Sequence, residues 1–144
     1  MPHLIDAEKK FSGFLEVRDL KYTSQRRTIL TEALSARRHF GAEELLERSK
    51  KRDRTISKAT LYRTLALLAE AKVLEEHDFG DGHKSYEPMI GRHHHDHLIC
   101  VKCKTILEFE NDEIEKIQEA EARKQGFRII THSHKLFGLC KRCR

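Results

Sequence analysis

Apolar residues in the first half of the chain recur at helical spacing, whereas those in the second half fall into short runs separated by polar residues. Thr23 stands ahead of Ile29, Leu30, Ala33 and Leu34, a spacing that predicts a helix capped by Thr23 and running to about Ser35. Gly41 opens AEELLERSKK, with Ala42, Leu45 and Leu46 on one face. Ser57 is placed to cap KATLYRTLALLAEAK, where Leu61, Leu65 and Leu68 repeat at i, i+4 and i+7 and belong to the core. Two strand-like runs, VLEEHDF and KSYEP, follow around the Gly-rich turn Phe79 to His83.

Three helices and then a hairpin is the element order of a winged helix-turn-helix, whose third helix enters the DNA major groove with its N-terminal end against the bases. From Pro88 to Arg92 the chain reads as a linker. Beyond it, HLICV and TILEFE predict two strands around a turn at Lys102 to Lys104. Asn111 is placed to cap a helix over DEIEKIQEAEARKQ that Gly126 closes, and FRIITHSHKLF, residues 127–137, predicts a strand leading to the last cysteines. The expected fold class is α+β. An N-terminal winged helix-turn-helix spans 1–87, a hinge 88–92, and a small α/β dimerisation and metal-binding domain 93–144. The second unit has a small core and open strand edges, and pairing two copies through the sheet relieves both, so a homodimer is expected.

Charge changes this picture locally. The net charge of +5 is spread over both halves, but Arg48 to Arg63 (RSKKRDRTISKATLYR) carries seven basic residues against Asp53 alone on the acidic side. On the predicted third helix this run points to double-stranded DNA. Ser57, Lys58, Thr60, Tyr62 and Arg63 lie near the reading end, and Arg52 and Arg54 flank them as phosphate partners. No stretch approaches the roughly 20 apolar residues of a membrane helix. The N-terminal MPHLIDAEKKFSGFLEV interrupts its apolar residues with charge where a signal peptide needs an unbroken run. A cytoplasmic protein without a membrane partner is expected.

In a reducing compartment the pairs Cys100-x-x-Cys103 and Cys140-x-x-Cys143 point to metal ligation rather than disulfides. Converging, they form a closed four-thiolate structural zinc site; a redox dithiol or an iron–sulfur cluster is the alternative. GRHHHDHLICVKC adds four histidines and an aspartate just upstream. In an extended segment alternate residues share a face, so His95 and His97 point one way and His94 and Asp96 the other, predicting two mixed imidazole and carboxylate sites on opposite sides of one strand. His93, at the edge of the run, is read as a surface residue.

Taken with these features, the chain resembles the ferric uptake regulator family of bacterial metal-responsive transcriptional regulators. The resemblance runs from about Leu20 to Cys143. It is carried by Lys21 and Thr23-x-x-Arg26, His39 ahead of Ala42-Glu43-Glu44-Leu45, Ala59-Thr60-Leu61-Tyr62-Arg63, His94-His95-Asp96-His97-Leu98-Ile99-Cys100-x-x-Cys103 and Cys140-x-x-Cys143. The residues before Leu20 lie outside it and are expected to add a helix packed through Phe11, Phe14 and Leu15. The resemblance implies a regulatory metal site of His39, Glu87, His95, His97 and Glu108. It implies a second site of His94, Asp96, Glu115 and His132, and it adds Lys21 and Arg26 to the DNA-binding set. Ser24 stands where the family commonly has proline, and PMIGR after Glu87 is a residue longer than in some relatives.

The regulatory set has no thiolate, which suits Fe(II), Mn(II), Co(II) or Zn(II). Glu108 resembles the iron-uptake branch, where the peroxide-sensing branch typically has aspartate. The function implied is a metal-dependent repressor, Fe(II)-responsive and controlling iron-uptake genes, on a palindromic operator; a peroxide-sensing Fe/Mn regulator is the runner-up. A zinc-dependent hydrolase or deaminase needs an open coordination position and a general acid or base, and neither H-E-x-x-H nor H-x-E with P-C-x-x-C occurs, so no enzyme is expected. A metal-storage protein would leave the winged-helix half without a purpose.

Overall fold

A computed structural model describes residues 2–36, 39–79, 81–91 and 95–144, in two compact units, Met1–Arg92 and His93–Arg144. The first unit contains α1 (Pro2–Val17), α2 (Ser24–Ser35), α3 (Ala42–Arg52), α4 (Lys58–Glu70), β1 (Leu74–Asp78) and β2 (Lys84–Pro88). The second contains β3 (Asp96–Cys100), β4 (Ile106–Phe109), α5 (Asp112–Lys124) and β5 (Lys135–Gly138).

Local chemistry sets the helix starts. Thr23 accepts a hydrogen bond from the Arg26 amide, Ser57 from the Thr60 amide, and Asn111 from the Glu113 and Ile114 amides. Gly41 precedes α3 without a side-chain cap, but Glu43 and Glu44 in the first turn and Lys50, Lys51 and Arg52 in the last match the helix dipole. At the end of α4, Lys72 adopts a left-handed conformation (φ 60°), and the Val73 amide returns to the Leu68 carbonyl at 3.0 Å, turning the chain directly into β1.

The core of the first unit joins all four helices to the hairpin. Ala7, Phe11 and Leu15 of α1 are fully buried with Ile29, Leu30, Leu45, Leu61, Leu68 and Val73, and Phe14 packs against them partly exposed. The N-terminal helix is therefore part of this core. β1 and β2 pair antiparallel from Leu74↔Pro88 to Asp78↔Lys84. Phe40 adds a bridge on the hairpin's edge, its amide donating to the Tyr86 carbonyl at 3.0 Å and its carbonyl accepting from the Tyr86 amide at 2.9 Å. Pro88 still pairs with Leu74, and the Met89 amide donates to Val73 at 2.9 Å, so regular pairing runs past the start expected for the linker. Gly80 of the expected turn, and Arg92 and His93 beyond the hairpin, lie outside the described residues.

In the second unit the strand order is β4-β3-β5, with β3 antiparallel to β4 and parallel to β5. The strand expected over 127–137 is limited to Lys135–Gly138. Among the described residues β5 enters register with β3 at His97↔Lys135, so the β-branched residues ahead of it meet no strand-ladder partner there to convert propensity into structure. Leu107, Leu98 and Leu136 line up across the three strands and remain 53, 41 and 46 % exposed, and α5 buries no residue. Among the described residues no helix is long and apolar enough to cross a membrane.

Candidate metal centres and nucleic-acid interface

The parallel pairing of β3 with β5 ends at Cys100↔Gly138, which delivers Cys140 and Cys143 to the turn that carries Cys103. All four cysteines are free thiols, and their sulfurs lie within 4.8 Å of one another; Cys103 Sγ and Cys140 Sγ are 3.7 Å apart. The surroundings favour negative sulfur. The amides of Cys103 and Cys140 each donate to Cys100 Sγ at 3.5 Å and hold that thiol below its usual range. The Thr105 hydroxyl, 3.1 Å from Cys103 Sγ, is the leading influence that brings the Cys103 thiol down to about 6. Cys143 is pushed up to about 12, chiefly by its hydrogen bond with Cys140, because neighbouring sulfurs do not all ionise without a cation among them. Four converging thiols with amide support fit tetrahedral Zn(II).

On β3 the side chains divide by parity. Asp96 is buried, and one ligand atom each of Asp96, Glu115 and His132 lie within 4.8 Å of one another. His132 Nε2 is 3.2 Å from Glu115 Oε1, joining α5 to the segment before β5. His134 Nδ1 lies 3.8 Å from Asp96 Oδ2, beside this group. His94, assigned to the same set by resemblance, lies outside the described residues. The imidazoles of His95 and His97 meet edge to face with centroids 4.8 Å apart, and His95 Nε2 is 3.4 Å from Glu108 Oε1 across the β3–β4 pair.

The other two residues of the expected regulatory set meet within the first unit. The Phe40↔Tyr86 bridge places their neighbours His39 and Glu87 together, with His39 Nε2 3.0 Å from Glu87 Oε2. A third residue, His77, completes a cluster that the sequence reading passed over: its Nε2 is 2.8 Å from Glu87 Oε1. Hairpin register was the available signal, since Glu75 faces Glu87 and His77 faces Ser85, which sets His77 and Glu87 diagonally on one face.

The candidate DNA-binding residues divide into two groups. Lys21, Arg26, Thr60 and Arg63 line one open cleft of about 380 Å³ formed by the α1–α2 connection, the start of α2 and α4. Arg26 donates to the Lys21 carbonyl at 2.5 Å, and Arg63 is exposed. The remaining side chains are engaged within the fold. Ser57 caps α4, Lys58 Nζ is 2.9 Å from Glu43 Oε1, and the Tyr62 hydroxyl donates to the same oxygen at 3.1 Å. Arg52 and Arg48 both pair with Glu32, Arg52 at 3.1 Å, while Arg54 is exposed. Part of the basic run is thus neutralised from within.

The ferric uptake regulator family model matches residues 17–137. The chain belongs to the ferric uptake regulator family. It is similar to a ferric uptake regulation protein of Rhizobium leguminosarum bv. viciae, 40% identical over 136 residues, covering 94% of this chain and 95% of that protein. The solved ferric uptake regulator of Helicobacter pylori, described as having three functional metal-binding sites, superimposes with a TM-score of 0.78 at 27% identity, over 97% of this chain and 93% of that one. A zinc-bound manganese uptake regulator is 40% identical with a TM-score of 0.56, over 91% and 98%. As a family member the chain is a metal-dependent transcriptional repressor, and its thiol, imidazole and carboxylate groups supply the donor chemistry such a protein needs.

Proposed function

We propose that the chain is an Fe(II)-responsive repressor of iron-uptake genes that works in the cytoplasm as a homodimer on a palindromic operator and has no catalytic role. In this reading residues 1–87 bind DNA, 88–92 form a hinge, and 93–144 dimerise and hold metal. The observation that carries it is the partition of donors: His39 and Glu87 meet in the first unit, while His95, His97 and Glu108 gather in the second. In this reading the regulatory set is His39, Glu87, His95, His97 and Glu108, and its occupation by a cation selects the state of the dimer in which two reading helices match two half-sites. Cys100, Cys103, Cys140 and Cys143 hold a structural zinc, and Asp96, Glu115 and His132, with His94, form the second mixed site. The leucine row Leu107, Leu98, Leu136, exposed over a small core, supports a second copy as its cover. Lys21, Arg26, Thr60, Tyr62 and Arg63 meet the DNA, Lys58 stands at the same end of α4 with its charge taken up by Glu43, and Ser57 sets the start of the helix.

The test is anaerobic fluorescence anisotropy of a palindromic AT-rich duplex with zinc-loaded protein, with and without Fe(II). Tight binding that needs Fe(II) and weakens with salt supports the proposal, and its loss in a His95→Ala, His97→Ala double variant that still folds assigns the dependence to the mixed site. Equal binding with and without metal overturns it. The 40% identity to a manganese uptake regulator motivates a Mn(II) arm, in which activation by Mn(II) at lower concentration than Fe(II) makes manganese the signal. Peroxide treatment of the Fe(II) form followed by mass spectrometry separates the remaining variant, since oxygen added to His39 or His95 marks a peroxide sensor.

A further inference from the structure

His77 is a buried imidazole in the first unit that the five-residue ligand set leaves unused. It is fully buried, Glu87 is 1% exposed, and the two touch through Nε2 and Oε1 at 2.8 Å. The other oxygen, Oε2, faces His39 Nε2 at 3.0 Å. One carboxylate thus hydrogen-bonds an imidazole of β1 through Oε1 and lies beside a second imidazole, from the residue before the Phe40 bridge, at Oε2.

As a metal ligand Glu87 is ionised and only accepts hydrogen bonds, and His77 then donates to it from Nε2. That engagement uses Oε1. Oε2 is the oxygen left beside His39, and it is the one suited to share a cation with that imidazole.

We propose that His77 is a positioning residue of the regulatory site: it holds Glu87 by Oε1 so that Glu87 ligates through Oε2 alone, together with His39. The inference rests on the reading of His39 and Glu87 as ligands. Its consequence is metal preference. A carboxylate confined to one oxygen keeps the site at its five donors, whereas a released carboxylate adds a second oxygen, which favours a cation that accepts more oxygen donors, such as Mn(II).

The experiment uses full-length, zinc-clamped protein in a His132→Ala background that silences the second mixed set, with Co(II) as probe. Co(II) affinity is read by competition and ligand number by the visible d–d absorption. His77→Leu, which fills the space without a donor, weakens Co(II) binding by about 10–100-fold, the usual effect of losing a partner that orients a ligand. It also shifts the Mn(II)-to-Co(II) affinity ratio toward Mn(II). His77→Gln, whose amide N–H can donate to Oε1, keeps the affinity close to that of the background protein and leaves the absorption bands in place.

Unchanged Co(II) affinity in His77→Leu overturns the proposal. So does a loss of nitrogen ligation in the His77→Gln spectrum, which makes His77 a ligand itself. Should His77→Leu not fold, His77→Met, which also lacks an N–H donor, takes its place under the same readings. Wild-type Co(II) binding in Glu87→Ala and His39→Ala instead overturns the underlying ligand assignment, a failure recognisable without any change at His77.

Discussion

Glu43 carries a prediction that tests the DNA-binding surface through a residue that need not touch DNA. Its carboxylate lies 2.9 Å from Lys58 Nζ and accepts from the Tyr62 hydroxyl at 3.1 Å. These contacts, Lys58 first, hold Glu43 below the usual carboxylate range, so it is ionised at neutral pH. Lys58 is thereby neutralised before DNA arrives. Glu43→Gln removes the opposing charge and frees one cation at the N-terminal end of α4. Each additional phosphate neutralised steepens the slope of log K against log salt by about 0.9. Between 50 and 200 mM salt, a fourfold range, the variant should therefore lose about 3.5-fold more affinity than wild type, starting from tighter binding at the low end. Both side chains are 65% exposed, so the fold should be indifferent to the change. Anisotropy titrations of metal-loaded protein at four or five salt concentrations measure the slopes, with Lys58→Ala alongside. If Glu43→Gln leaves the slope unchanged while Lys58→Ala alone flattens it by about 0.9, Lys58 already reaches phosphate and the neutralisation argument fails.

Three further outcomes follow from the geometry. Phe11→Ala empties a fully buried position of α1 that stacks edge to face on Tyr22 at 5.8 Å, so urea unfolding should show a loss of about 3–5 kcal/mol, and a loss below about 1 kcal/mol would make α1 a detachable appendage. The Tyr86 phenol is held above its ordinary value by burial first and the Glu76 carboxylate second. A raised folded value means its contribution is intact below the unfolded value of about 10 and is lost as pH rises beyond it, so stability above pH 10 should fall more steeply in wild type than in Tyr86→Phe. Cys140→Ser should yield protein without stoichiometric zinc by elemental analysis, with hydrogen-exchange protection lost in β3 and β5 and kept in α2 and α4; retained protection in β3 would show that the thiol cluster does not hold the second unit together.

What was legible in the sequence was what local chemistry controls. Thr23, Ser57 and Asn111 announce their helices because a capping hydroxyl or amide acts within three residues of itself. The two C-x-x-C pairs and the alternation of His95, Asp96 and His97 were readable because each is set by spacing within a short segment. Contacts that depend on how distant elements meet were not. Arg52 and Lys58 look alike as members of a basic run, and nothing local says that Glu32 and Glu43 reach them. His77 was missed for the same reason, since only the hairpin register puts it beside Glu87. Residues 127–134 mark the converse error, where strong strand propensity meets no ladder among the described residues.

The five residues of β3, with His95 just ahead of them, impose a constraint on how this gene can vary. Substitutions at Leu98, which is 41% exposed, leave the backbone course intact. Insertion or deletion of a single codon between His95 and Cys100 does not, because it exchanges the two faces of everything on one side of the change. One such event would move the imidazoles and Asp96 between the opposing clusters, or draw Cys100 out of register with Cys140, and no point mutation elsewhere would restore both. Sequence drift in this stretch is therefore confined to replacement at fixed length.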